Sequence, residues 1–185
     1  MDPHATLVQM LATRSARRGN FTLASGRQSD LYIDARLTTM SPDGLATIGP
    51  LALERMHQRG WTPDAVGGLT LGADPVSYAI AHASALAGGP LVRAFTVRKE
   101  AKTHGTGKLI EGPYQAGDRV VVIEDVITTG GSALKAIEAI TAAGGVIVGV
   151  LAVVDREEGG REALEGAGHA VEALATAREI VSVMG

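Results

Sequence analysis

The sequence predicts an α/β fold: a central, mostly parallel sheet flanked by helices on both faces. Three observations predict it. Short, almost purely apolar runs, such as residues 120–123 and 146–154, recur along the chain, as strands buried on both faces require. Segments of helical period separate these runs. Of the 185 residues 45% are hydrophobic but only 3% aromatic, so Val, Ile, Leu and Ala must build the core.

Asp2-Pro3 reads as the N-cap and first position of a helix whose apolar stripe is Leu7, Val8 and Leu11 and whose stop is Gly19. Residues 21–34 read as short, extended and turn-rich. Ser41-Pro42-Asp43 opens a second helix, expected to run to Arg59 and close at Gly60. Residues 65–69 form a short apolar strand, 70–74 a tight loop containing Gly72, 75–87 a helix and 91–97 a strand. Residues 98–112 have no apolar period and read as a long loop, a length that usually has a functional reason. Residues 120–123 are a strand. Gly130-Gly131-Ser132 opens a helix to Ala143, which Gly144-Gly145 ends. A strand over 146–154, a short helix over 157–167 and a last strand over 171–174 complete a single expected domain, residues 1–185. There is no internal repeat.

Composition excludes several classes. Without cysteine there is neither a disulfide framework nor a thiolate metal site. A net charge of −3 and six aromatic residues argue against a nucleic-acid binder. No apolar run reaches the roughly 18 residues of a membrane span, and Asp2 and His4 do not suit a secretory signal. The expectation is a cytoplasmic protein that engages neither nucleic acid nor membrane.

The candidate chemistry lies in two stretches. The strand 120–123 ends in Glu124-Asp125 and runs through Val126-Ile127-Thr128-Thr129-Gly130-Gly131-Ser132 into a helix. Such a turn aims backbone N–H groups and hydroxyls at a helix N-terminus, where the dipole favours an anion. The acids would repel a phosphate they faced, so they suit the hydroxyls of a sugar beside it. The pattern points to a phosphorylated sugar. No P-loop and no dinucleotide fingerprint occurs. The second stretch holds Arg98, Lys99, Lys102 and His104, and three of the chain's four lysines fall between positions 99 and 108. A polyanion rewards such crowding of positive charge; a solvated surface loop is the plainer alternative. Asp74 reads as a cap for the helix starting at Pro75, or as a water-mediated Mg²⁺ ligand. Arg156 reads by itself as a surface ion pair with Asp155 or Glu157.

Residues 120–132 resemble the 5-phosphoribosyl 1-diphosphate (PRPP) motif of type I phosphoribosyltransferases. Arg98-Lys99-Glu100-Ala101-Lys102-Thr103-His104-Gly105 resembles the mobile catalytic loop of the orotate phosphoribosyltransferase family, and Phe21-Thr22-Leu23-Ala24-Ser25-Gly26 its N-terminal element. The resemblance covers roughly residues 5 to 180. It implies the type I phosphoribosyltransferase fold with a small N-terminal hood from about residues 1–40. It implies transfer of ribose 5-phosphate from PRPP to orotate, giving orotidine 5′-phosphate and diphosphate in pyrimidine biosynthesis. Mg²⁺ is implied mainly through the substrate diphosphate, and a homodimer that shares loop 98–112 across subunits. Lys99, Lys102, His104 and Asp125 are implied as catalytic. Arg98, Lys99, Lys102 and His104 are implied to contact PRPP, with Glu124, Asp125, Val126, Ile127, Thr128, Thr129, Gly130, Gly131 and Ser132. Thr128 and Arg156 are implied to contact orotate, Ser25-Gly26 and Tyr32 to cover the base, and 70–74 to be the pyrophosphate loop. The sequence departs from the family at Ala24 and Gly72, where lysine is frequent, and at Glu124, where aspartate is. A purine phosphoribosyltransferase fits the 98–105 stretch and Arg156 less well. A PRPP-binding regulator would need a basic face or a DNA-binding appendage, neither of which the sequence offers.

Overall fold

Asp2 caps the first helix as the sequence predicts: its carboxylate accepts from the backbone N–H groups of His4 (3.4 Å) and Ala5 (3.2 Å), and Pro3 takes the first helical turn. The computed structural model, which describes residues 2–22, 28–100 and 109–185, continues this helix (α1, Pro3–Met10) through a π-helical turn, Leu11–Ser15. The helix does not run to Gly19. The chain becomes strand β1 (Ala16–Thr22), which pairs antiparallel with β2 (Gln28–Ile33) in a separate two-stranded sheet. The apolar stripe stops at Ala12, and Arg17-Arg18-Gly19-Asn20 offers no face that a helix could bury. An unforeseen short helix, α2 (Arg36–Thr39), precedes α3 (Pro42–Gln58), whose N-cap Ser41 Oγ accepts from the Gly44 N–H at 3.1 Å.

The alternating half follows. Its elements are β3 (Ala65–Leu69), α4 (Ala73–Leu86), β4 (Arg93–Val97), β5 (Ile110–Glu111), β6 (Arg119–Ile127), α5 (Gly131–Ala142), β7 (Val146–Asp155), α6 (Gly160–Gly166), β8 (Val171–Thr176) and α7 (Ala177–Val183). The sheet order is β5-β4-β3-β6-β7-β8, and every pair is parallel except β4 with β5. The predicted strands are therefore present, though β6 extends through the two acids and β5 lies inside the predicted loop. Helix α6 is shorter than expected because Glu157 (φ 56°) and Gly159 (φ 92°) turn the chain first. Helix α7, also unforeseen, opens on a capping box between Thr176 and Glu179.

Alternation along β6 feeds two cores. Val121 and Ile123 pack with α1, α3 and α4 on one face, and Val120 and Val122 with α5 and Leu164 of α6 on the other. Strand order positions the site. From β3 the chain crosses through α4 to β4 on one side; from β6 it crosses through α5 to β7 on the other. The two connections diverge from adjacent strands and leave a crevice beyond the carboxyl ends of β3 and β6, where ligands of such sheets bind.

Phe95 of β4 is fully buried and meets Tyr114 edge-on at 5.1 Å between ring centroids. Phe95→Ala is expected to cost about 3–5 kcal/mol in urea unfolding. A loss below about 1 kcal/mol would contradict its place in the second core.

Candidate active site

The crevice is a cleft of about 500 Å³. The first wall is the tip of β6, which presents Glu124, Asp125 and Val126, and the turn after it, which presents Thr128, Thr129 and Ser132. Gly130 forms that turn with φ 80°, a conformation that suits glycine, and it caps α5. The opening turn of a helix leaves backbone N–H groups without intrahelical partners, so this wall is built to receive an anion.

The second wall is the segment after β3: Thr70, Leu71 and Gly72. It comes so close to β6 that a Cβ on Gly72 would lie 2.4 Å from Asp125 Oδ1. A side chain there would have to displace the Asp125 carboxylate. Asp74 does not cap a helix starting at Pro75. Helix α4 starts two residues earlier, at Ala73, and the Asp74 carboxylate accepts from the hydroxyls of Thr70 (2.7 Å) and Thr96 (2.8 Å). It braces the loop against β4.

The third wall comes from the N-terminal hairpin and the end of β7. Arg156 is buried, its side chain 5% exposed, and it is not a surface residue. Its Nη2 donates to Leu31 O (3.0 Å), Ser29 Oγ (3.2 Å) and Glu158 Oε1 (2.6 Å), which ties the hairpin to the sheet. Asp155 and Glu157 pair instead with Arg161 (2.8 Å) and Arg178 (3.0 Å). Arg156 Nε is buried without a hydrogen-bond partner among the described residues. The tether brings Tyr32, Ile33, Asp34, Ala35 and Arg36 to the cleft, with Tyr32 packed on Phe21 at 5.4 Å.

Several predicted residues thus meet: Lys99, Glu124, Asp125, Val126, Thr128, Thr129, Ser132, Arg156 and Tyr32 all line the cleft. Others do not. Ile127 faces the second core, and Gly130 and Gly131 shape the turn without lining the cleft. Arg98 lies outside the lining, with its guanidinium 3.5 Å from Glu111. Lys102, His104, Ala24 and Ser25-Gly26 lie outside the described residues. Asp34, Arg36 and Glu158 were not foreseen. An Asp-x-Arg pair closing an extended segment was the available signal for the first two.

Electrostatics divides the acids. Glu124, 7% exposed, has its carboxyl pushed up to about 8, first by loss of water and then by the Asp125 charge beside it. The Arg36 guanidinium holds the Asp34 carboxyl below its ordinary range.

Residues 40–171 match the phosphoribosyl transferase domain family. The chain is 44% identical over 181 residues to an orotate phosphoribosyltransferase of Rhodopirellula baltica, covering 95% of this chain and 92% of that one. It is 47% identical over 161 residues to that of Aquifex aeolicus, covering 87% and 86%. Among solved structures it is similar to Mycobacterium tuberculosis orotate phosphoribosyltransferase in complex with PRPP, with a TM-score of 0.81 and 40% identity over 97% of this chain and 99% of that one.

Glu124 binds its proton more tightly folded than unfolded, so its ionisation destabilises the fold as pH rises from about 4.5 through about 8. Glu124→Gln is expected to leave urea stability nearly unchanged at about pH 5 and to raise it by on the order of 1 kcal/mol or more at about pH 9. An equal effect at both pH values would remove the desolvated acid from the account.

Proposed function

The chain belongs to the orotate phosphoribosyltransferase family, and we infer from that membership and the contents of one cleft how it works. It transfers ribose 5-phosphate from PRPP to orotate, giving orotidine 5′-phosphate and diphosphate. The observation that carries this reading is the convergence of an anion-receiving turn, a strand-tip acid pair and a buried arginine in one crevice.

In the reaction N1 of orotate gives up its proton to water and bonds to C1 of the ribose as the C1–O bond to diphosphate breaks. Positive charge builds on the ribose ring and negative charge on the leaving diphosphate. The 5-phosphate sits in the turn from Thr128 to Ser132, against the first turn of α5. Asp125 accepts hydrogen bonds from the ribose hydroxyls and stabilises the ring charge. Glu124 beside it contributes a carbonyl oxygen, and near neutral pH a proton, without a second full negative charge. Arg156 with Thr128 receives orotate; both line the cleft, and a guanidinium suits a carboxylate. Tyr32 and the hood formed by residues 1–40 cover the base.

Lys99 takes the leaving diphosphate from within its own cleft. Arg98, Lys102 and His104 act on the cleft of a partner subunit in a homodimer that shares loop 98–112. The position of Arg98 on Glu111, outside its own cleft, supports that sharing. Mg²⁺ fits the donors present: Asp125 offers hard carboxylate oxygens to the cleft, and no group of three or more His, Asp or Glu among the described residues forms a closed site. Most of its shell would then be water and substrate oxygen, as this ion prefers. When bound it neutralises charge on the diphosphate. No helix among the described residues is long and apolar enough to cross a membrane.

Purified protein mixed with orotate, PRPP and Mg²⁺ is expected to consume orotate absorbance, and no turnover at any protein concentration would overturn the reading. Lys102→Ala is expected to lower kcat by roughly a hundredfold or more with a smaller loss of PRPP affinity. Equal losses would deny Lys102 a role in the transition state.

A further inference from the structure

The cleft has an unsolved problem of charge. Among the described residues its lining carries the acids Asp34, Glu124, Asp125 and Glu158, yet its donor substrate is a polyanion. The loop after β3 supplies no cation: its residues in the lining are Thr70, Leu71 and Gly72. Arg156 is buried and engaged with the hairpin and Glu158. Lys99 and Arg36 remain.

We propose that Arg36 is a binding residue for the diphosphate of the phosphoribosyl donor, and that Asp34 is the residue that orients it. Arg36 Nε and Nη2 donate to the two carboxylate oxygens of Asp34 at 2.8 and 2.9 Å, and the Arg36 backbone N–H donates to the same carboxylate at 3.2 Å. A guanidinium has five N–H donors, so this clamp fixes the plane and leaves the outer edge for a ligand. That edge is reachable: the side chain is 47% exposed and lines the cleft. Arg36 also lies close enough to Asp125 to feel its charge. With Asp125 on the ribose hydroxyls, the adjacent C1 and its diphosphate fall within reach of the same neighbourhood. The start of α2 thereby supplies a cation that the loop after β3 lacks. The site has a fixed planar fork, which suits phosphate oxygens better than a flexible ammonium does.

This inference rests on the reading of the cleft given above, so its first readout needs no orotate. Calorimetric titration of PRPP with Mg²⁺ is expected to show Arg36→Gln binding roughly ten- to a hundredfold more weakly than the unsubstituted protein, the value of a charge-assisted hydrogen bond. Inorganic diphosphate is expected to follow the same order. In turnover the KM for PRPP rises by a similar factor while the KM for orotate stays within about twofold. PRPP affinity within about twofold of the unsubstituted protein, or a shift in the orotate KM alone, would overturn the assignment. Arg36→Lys keeps the charge and loses the fork, so it is expected to recover part of the affinity and serves as the test if Arg36→Gln does not fold. Asp34→Asn is expected to fall between the two. Failure of the unsubstituted protein to consume orotate, with PRPP binding still dependent on Arg36, would refute the reaction and leave this site standing.

Discussion

Everything at the rim depends on how closely β3 lies against β6. A Cβ on Gly68 would meet Ile123 O at 2.0 Å, and one on Gly72 would meet Asp125 Oδ1 at 2.4 Å. The absence of side chains at these two positions lets one strand and its following loop pass directly over the tip of the next. The acid pair, the anion-receiving turn and the loop then face a single crevice. A side chain at Gly68 would have to push the strands apart, and one at Gly72 would have to displace the Asp125 carboxylate; close-packed interiors transmit the first kind of strain instead of absorbing it.

The same closeness explains how two adjacent acids coexist beside the proposed phosphate site. Fully ionised, Glu124 and Asp125 would repel each other and the donor. Burial resolves this by making the charged form of Glu124 costly, while Asp125, less deeply set at the mouth, faces the cleft. A neutral carboxyl keeps an acceptor oxygen and gains a donor, so the pair can still grip a diol with one charge fewer. The replacement of a frequent aspartate by glutamate at this position gives the buried member a longer reach.

Much of this was legible in the sequence, and what was not has a physical reason. The strands announced themselves because a strand buried on both faces must be apolar throughout. The β6 turn was visible because acids, threonines and glycines are contiguous there. Helix starts at Asp2 and Ser41 were visible because caps are local chemistry. Contacts between distant segments were not. Nothing local in Asp34-Ala35-Arg36 says that it reaches the tip of β6, since its place is set by the Arg156 tether to Leu31 and Ser29. Nor does any spacing show that Asp74 is claimed by Thr70 and Thr96, which made a cap seem the natural role. The start of β1, up to Gly19, was read as helix because its polar residues belong to a two-stranded sheet with little core of its own, where periodicity carries no signal.

Arg156 joins these threads. One nitrogen holds the hairpin and Glu158, while another is buried with no protein acceptor among the described residues. A buried donor left unpaired costs on the order of 1–3 kcal/mol. The residue proposed to receive orotate is therefore the one that fixes the segment carrying Asp34 and Arg36. A ligand that steadies Arg156 steadies the hairpin, and a steadier hairpin presents Arg36 in a narrower range of orientations. By linkage the effect runs both ways: a diphosphate held by Arg36 would favour the hairpin position in which Arg156 meets its carboxylate. The two substrates would then be coupled through a short stretch of chain between Ser29 and Arg36, without any movement of the sheet.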